Sequence, residues 1–190
     1  LAIKELAARS IIRGYEDRRF GPADRILRAQ MAALIARAMG WSAEYHGNNF
    51  PDRCNMPDIC IDSALWQNVG TLQFYEVARG YQDGQGGSYY DPFGDVLHAQ
   101  TISFITRAMI EQGLWTQQPI DASLYGGILN GSGHEADVAT YLHYTNAYGG
   151  VPDYPAGGGF AAWDRPATRA WFARALWTAL DSYWGTDRTP

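Results

Sequence analysis

Two cysteines and four histidines are the residues of this sequence with the most obvious potential for covalent or metal chemistry. Cys54 and Cys60 lie six positions apart in a segment that Asn55 and Pro57 make rich in turns, so their thiols can meet. We expect a disulfide, which contributes about 2 kcal/mol in the chain-entropy model and is typical of proteins outside the reducing cytosol. Two unpaired thiols are the alternative. The histidines are scattered without a metal-binding motif, so we predict no metal site. We expect structural or surface roles for His46, His98, His134 and His143.

No catalytic or cofactor-binding constellation is visible. Residues 83–88, Asp-Gly-Gln-Gly-Gly-Ser, form a glycine-rich loop, but they lack the lysine and the preceding strand of a phosphate-binding loop. No nucleophile, base and orienting residue suggest a triad. The sequence therefore predicts a protein that is not an enzyme and uses no cofactor.

The composition is that of a globular protein, with 46% hydrophobic and 18% charged residues among 190. Fifteen basic against twenty acidic residues leave a net charge of -5, which argues against a general nucleic-acid binder. The apolar run at 31–36 is far shorter than the roughly 20 residues of a membrane span, so no span is predicted. Aromatic residues at 14% and 21 glycines indicate long ordered loops or flat recognition surfaces.

The chain repeats itself at intervals of about 70 residues. Residues 20–39 align without a gap with residues 90–109, and eight of the twenty positions are identical. The identical pairs are Pro22/Pro92, Leu27/Leu97, Ala29/Ala99, Gln30/Gln100, Ile35/Ile105, Arg37/Arg107, Ala38/Ala108 and Met39/Met109. A weaker third copy follows 71 residues later, with Arg169-Ala170 in the place of Arg28-Ala29. We predict three units, at residues 1–41, 50–115 and 125–185.

Each unit has the same order of elements. Apolar residues at helical spacing from Ile3 to Ile11 predict a first helix, which we expect to end at Gly14. After a loop and a proline, a second helix has an apolar face from Leu27 to Met39 that leaves Arg28 to one side. No strand alternation persists, so we predict a mainly α fold in which the units pack around a shared helical core.

These motifs resemble the S-layer homology family, whose unit runs Gly-Ile-Val-x-Gly-Tyr-x-Asp-Gly-x-Phe-x-Pro, then Ile-Thr-Arg-Ala-Glu, between two helices. Unit one matches with Ser10-Ile-Ile-Arg-Gly-Tyr-Glu-Asp-Arg-Arg-Phe-Gly-Pro22 and Ile26-Leu-Arg-Ala-Gln30. Unit two has Gly80-Tyr-Gln-Asp-Gly84 and Val96-Leu-His-Ala-Gln100, and unit three keeps Ala167-Thr-Arg-Ala-Trp171. The resemblance covers nearly the whole chain and weakens toward its end. Unit one lacks the family's opening Phe-x-Asp and Trp, so we expect the sequence to be a piece of a longer precursor.

The resemblance implies both an architecture and a ligand. In the family, three units form a pseudo-threefold spindle, and its grooves bind an anionic, often pyruvylated, cell-wall polysaccharide. The motif arginine meets the acidic sugar group and a tryptophan packs against the sugar. By resemblance these roles fall on Arg28, Arg169 and Trp66, with His98 in the place of the arginine in unit two. Because His98 is shorter than arginine and neutral near pH 7, we expect its groove to be weakened.

The helix-capping residues of the family motif are altered. Threonine and glutamate of Thr-Arg-Ala-Glu form a capping box, but Leu27 and Leu97 replace the threonine, and Trp171 replaces the glutamate beside Thr168. We therefore expect other residues to cap helices that begin a turn earlier. The expected caps are Asp24, Asp95 and Asp164.

The combined prediction is a non-catalytic, extracellular cell-surface module that anchors a larger protein through cell-wall polysaccharide. The alternative is a structural subunit of a surface layer, sheath or filament, bound to copies of itself or to other surface proteins. Altered motifs and a tryptophan-rich last unit, with Trp163, Trp171, Trp177 and Trp184, favour that alternative. The anchoring part of an enzyme with a separate catalytic domain is a third hypothesis.

Overall fold

The computed structural model describes residues 1–41, 64–82, 84–121, 131–153 and 163–184. These residues confirm the mainly α fold. The helices are α1 (Ala2–Ala8), α2 (Arg28–Ala38), α3 (Ala64–Phe74), α4 (His98–Glu111), α5 (Glu135–Thr145) and α6 (Arg169–Trp184). A single 3-10 turn spans Asn146–Tyr148, and an antiparallel hairpin pairs β1 (Tyr81–Gln82) with β2 (Ser88–Tyr89). Cys54 and Cys60 lie outside the described residues.

The helices of the three predicted units pack in a cycle, with the second helix of each unit against the first helix of the next unit. Helix α2 packs against α3, α4 against α5, and α6 against α1, and α6 also contacts α4 and α5. Each of α2, α4 and α6 buries most of its length, because apolar or small residues occupy nearly all sides of these helices. The resulting core is continuous, and its fully buried members include Met31, Ile35, Ile102, Ile105 and Phe172.

Three buried residues in extended backbone connect the starts of α2, α4 and α6. Ile26 N donates to Ala167 O (3.0 Å), Ala167 N donates to Val96 O (2.7 Å), and Val96 N donates to Ile26 O (3.3 Å). The bonds form a closed triangle, and its members are 70 and 71 residues apart in sequence. Each segment therefore gives one backbone hydrogen bond and accepts one.

The first backbone N–H groups of α2, α4 and α6 bond to a loop from another part of the chain. Such groups have no partner within their own helix. In α2, Arg28 N donates to Gly94 O and Ala29 N to Pro92 O. In α4, His98 N donates to Arg165 O and Ala99 N to Trp163 O. In α6, Arg169 N donates to Asp24 O and Ala170 N to Pro22 O, and all six distances are 2.8–3.1 Å. These contacts join the same three segments as the triangle, but their donors and acceptors run in the opposite cyclic direction.

The expectation that aspartates cap longer helices was wrong. The helices begin at Arg28, His98 and Arg169 because loop carbonyls already satisfy the first N–H groups. The glutamines of the motif keep half of a capping box, since Gln30 Oε1 accepts from Leu27 N (3.3 Å) and Gln100 Oε1 from Leu97 N (3.1 Å). In the third segment Thr168 Oγ1 accepts from Trp171 N (3.2 Å).

Helix α1 ends at Ala8, so the predicted end at Gly14 was also wrong. Ser10 adopts a left-handed backbone (φ 59°), and Ile11 N closes the helix by donating to Leu6 O (2.9 Å). Gly14 is needed for a close approach, because a Cβ atom there would lie 2.8 Å from Arg19 O. That approach lets Tyr15 N donate to Arg19 O (2.8 Å) and places Tyr15 at the start of the loop.

Candidate functional site

Arg28, the first residue of α2, is a buried cation packed on aromatic rings. Its side chain Nε donates to Tyr90 O (2.7 Å) and Nη1 donates to Tyr81 Oη (3.1 Å). The guanidinium lies 4.5 Å from the ring centroid of Tyr81, 4.7 Å from that of Tyr90 and 5.3 Å from that of Phe104. Arg28 is only 2% exposed, yet it forms no ion pair with any residue that the structure describes. Aromatic faces and a carbonyl group stabilise its charge in place of a carboxylate.

Arg169 begins α6 and occupies an equivalent pocket. Its Nε donates to Phe20 O (2.8 Å) and Nη2 donates to Arg13 O (3.0 Å). The guanidinium lies 4.6 Å from the ring centroid of Tyr15 and 4.9 Å from that of Phe20. Within the described part of the chain Arg169 also lacks an acidic partner. We call the surroundings of Arg28 the first arginine pocket and those of Arg169 the second.

Repeat positions explain why the two pockets match. The tyrosine of each Gly-Tyr, Tyr15 or Tyr81, supplies one ring, and the aromatic residue two before the loop proline, Phe20 or Tyr90, supplies the other ring and the carbonyl. Partial burial and a hydrogen bond to Asp24 (3.0 Å) raise the pKa of Tyr15, so its phenol remains neutral. The repeated sequence motif therefore encodes the walls of each pocket as well as its arginine.

The third equivalent position is filled differently. His98, at the start of α4, stacks on Trp171 with ring centroids 3.8 Å apart and an interplanar angle of 6°. Trp171 is 5% exposed, and its Nε1 donates to Pro152 O (3.0 Å). Because Trp171 stands where Gln30 and Gln100 stand in the other copies, an indole replaces a flexible polar side chain.

Trp66 on α3 is a core residue behind the first arginine pocket. It is 5% exposed, and its ring meets the Tyr90 ring edge-on at a centroid distance of 6.5 Å. Tyr90 is fully buried, donates from Oη to Arg28 O (3.0 Å) and accepts from Arg28 Nε. Trp66 thus connects to Arg28 through Tyr90.

An open pocket of about 330 Å³ lies beside Arg28. Three arginines line it: Arg28, Arg79 from the loop before β1, and Arg107 from α4. Arg107 Nη2 pairs with Asp137 Oδ2 at 2.8 Å, and it is the one arginine of the three with an ion pair among the described residues. The resemblance did not implicate Arg79 or Arg107, although Arg107 and Arg37 were among the identical pairs of the repeat.

His134 forms part of the same pocket wall, where its Nδ1 lies 2.7 Å from Ser103 Oγ. Burial lowers the pKa of His134 below its ordinary 6.5, the positive charge of Arg107 lowers this pKa further, and Asp137 and Glu135 partly oppose the shift. The folded protein therefore favours neutral His134.

The pKa of His134 predicts how stability changes with pH. Below about pH 6.5 the unfolded chain binds a proton at this position before the folded chain does. The free energy of unfolding should therefore fall as the pH is lowered from 7.0 to about 5.5, and His134→Gln should show a smaller fall. Urea unfolding of both proteins at several pH values measures this difference, and parallel curves would contradict the assignment to His134.

The fold and these pockets define a helical module in which α2, α4 and α6 each begin at a buried position between loops. Residues 2–32 match the family model of the S-layer homology domain. The matched stretch contains Tyr15 and Phe20, which form the second arginine pocket, and Arg28 itself. No curated protein sequence is similar enough to match this chain. S-layer homology domains are in general non-catalytic modules of cell-surface anchoring, so the match supports a cell-surface or envelope-associated protein.

Two further properties concern the described residues alone. Their helices include none that is both long and apolar enough to cross a membrane. They also contain no group of three or more histidine, cysteine, aspartate or glutamate side chains placed to hold a metal ion.

Proposed function

We propose that the chain forms one S-layer homology-type domain of three units, residues 1–41, 50–115 and 125–185, arranged as a pseudo-threefold spindle. The closed triangle of Ile26, Val96 and Ala167 supports this proposal, because its three bonds repeat at the interval of the sequence repeat. The cyclic packing of α2 on α3, α4 on α5 and α6 on α1 is the second support.

We further propose that this domain is a non-catalytic extracellular module, which anchors a larger protein by binding an anionic cell-wall polysaccharide. The observation that carries the proposal is the pair of buried arginines without carboxylate partners in the described structure, Arg28 and Arg169. A guanidinium has five N–H donors. The hydrogen bonds above use two of the five in Arg28 and two of the five in Arg169. An acidic sugar group can accept from the remaining donors in a charge-assisted, planar arrangement.

The other two residues implicated by resemblance receive different roles. Trp66 is not among the residues that line the open pocket, whereas Arg28 is, so we propose that Trp66 supports the site by holding Tyr90 in place. His98 carries no permanent charge and is covered on one face by Trp171, so we propose that its groove contributes least to binding.

Sedimentation with cell-wall sacculi tests the proposed function. The purified protein should sediment with intact sacculi, and it should remain in the supernatant once the wall polysaccharide has been stripped from them. Equal sedimentation with stripped sacculi would show that the polysaccharide is not the ligand.

The self-assembly alternative has one observation in its favour. Several large aromatic side chains are exposed, among them Phe74 (59%), Tyr183 (40%) and Tyr148 (38%), and such residues are common anchors of protein interfaces. If this alternative holds, electron micrographs of the purified chain should show regular sheets or fibres without any glycan. A monodisperse monomer at the same concentration would contradict it.

A further inference from the structure

Beside Arg28, the first arginine pocket contains two more arginines that the proposed function does not use. Arg79 and Arg107 line the same pocket as Arg28. Arg107 is largely buried and paired with Asp137, whereas Arg79 is exposed and has no acidic partner among the residues described. Of the three arginines at this pocket, Arg28 and Arg79 therefore have no acidic partner among the described residues.

Arg79 and Arg107 are close enough to repel one another. Burial lowers the pKa of Arg107, and the positive charge of Arg79 lowers this pKa further, while Asp137 opposes both effects. Like charges placed together are unfavourable unless a counter-charge lies between them. An anion in the pocket supplies that counter-charge.

The same pair of arginines recurs beside Arg169. Arg13 and Arg37 occupy the repeat positions of Arg79 and Arg107, and the charge of Arg13, after burial, lowers the pKa of Arg37. The backbone of Arg13 also accepts a hydrogen bond from Arg169 (3.0 Å), which places Arg13 at the second arginine pocket. The repeat position and the charge interaction with Arg13 then associate Arg37 with the same pocket.

At the third equivalent position, beside His98, one arginine of the pair and the buried arginine are both replaced. The position 71 residues after Arg107 is Thr178, and the position of Arg28 is taken by His98. Arginine pairs thus accompany the two buried arginines and are missing where the buried arginine is missing. This correlation indicates that the three arginines of a pocket act on one ligand.

We propose that Arg79 and Arg107 form a second anion subsite beside Arg28, for a carboxylate or phosphate group, and that Arg13 and Arg37 form its copy beside Arg169. Each pocket then accepts a ligand with two negative charges, carried by one dianionic group or by two neighbouring acidic groups. The inference rests on the proposed function for the glycan nature of the ligand, but its charge requirement can be tested with small anions.

Titration with inorganic phosphate at constant ionic strength tests the subsite directly. In NMR spectra of the arginine Nε–Hε groups, the Arg107 signal should shift saturably, and Arg79→Gln should weaken this binding at least about tenfold, as expected for one lost charge-assisted hydrogen bond. The Arg37 signal should keep its affinity in Arg79→Gln, because it belongs to the other pocket. Arg174→Gln removes an exposed arginine paired with Asp153 and serves as the control for net charge. A parallel titration with pyruvate distinguishes phosphate from carboxylate as the preferred group.

Unsaturable shifts with both anions, or equal affinities of wild type and Arg79→Gln, would overturn the subsite. Sedimentation with sacculi separates its failure from that of the proposed function. If wild type and Arg79→Gln sediment equally well while the anion titrations fail, the subsite is wrong and the proposed function stands. If phosphate binding depends on Arg79 but no protein sediments with sacculi, the subsite stands and the proposed function is wrong.

Discussion

The double variant Arg28→Gln with Arg169→Gln is expected to bind intact sacculi at least about a hundredfold more weakly than the wild type. Each arginine offers a charge-assisted hydrogen bond, which contributes roughly 1.5–3 kcal/mol, and every 1.4 kcal/mol corresponds to about a tenfold change in affinity. The two pockets belong to one chain, so losing both also removes the gain from simultaneous binding. Sedimentation over a range of sacculus concentrations measures the affinity.

The buried arginines also stabilise the fold, and the experiment must separate the two effects. Arg28 and Arg169 satisfy the carbonyls of Tyr90 and Phe20, and leaving a buried acceptor unpaired costs about 1–3 kcal/mol. Circular dichroism should confirm that each variant is folded under the binding conditions. The control replaces two exposed arginines, Arg18→Gln with Arg174→Gln. It has the same net charge as the double variant at positions 28 and 169 and should bind like the wild type. A folded double variant at positions 28 and 169 that sediments like wild type would rule out the arginine pockets as the ligand site.

Leu6→Ala is expected to destabilise the protein by about 2–5 kcal/mol, although it lies near the chain's first residue. Leu6 is fully buried where α1 packs against α6. The Arg9 guanidinium extends this contact, since it lies 5.2 Å from the ring centroid of Trp177 and 4.9 Å from that of Trp184. Removing the Leu6 side chain leaves a cavity at the contact that joins the two ends of the cyclic packing.

Lys4→Ala is the matched control, because Lys4 lies on the same helix and is exposed. Urea unfolding should show a change within about 0.5 kcal/mol for Lys4→Ala and the large loss for Leu6→Ala. If the two variants were equally stable, α1 would not be an integral part of the core, and the cyclic packing would be contradicted.

The parts of the fold that the sequence could predict are those that depend on local periodicity. The repeat correctly indicated α2 and α4, and the identity of Gln30 and Gln100 reflects equal bonds to Leu27 N and Leu97 N. Helix starts were predicted wrongly because their hydrogen-bond partners are distant in sequence, as for Arg28 N and Gly94 O. Periodicity also placed Arg28 beside the apolar face, whereas the Tyr90 carbonyl and ring, 62 residues along the chain, bury it.

In the candidate site, too, the sequence predicted residues at repeated motif positions but not contacts between residues that are distant in sequence. Resemblance pointed to Arg28, Arg169 and the exception at His98 because these residues occupy one motif position. The resemblance gave no reason to expect that Trp171 stacks on the His98 ring, since the two residues are 73 positions apart in sequence. The Arg79–Arg107 pair was overlooked for a related reason: each residue repeats separately in the sequence, and only packing places both beside Arg28.

The central claim is that this module recognises the negative charge of a wall polysaccharide. Its most direct test is the affinity for solubilised wall polysaccharide, measured by calorimetry before and after the acidic groups of the glycan are removed chemically. We predict saturable binding to the acidic glycan and a loss of most of the affinity once the charge is gone. Undiminished binding to the neutral glycan would contradict the account.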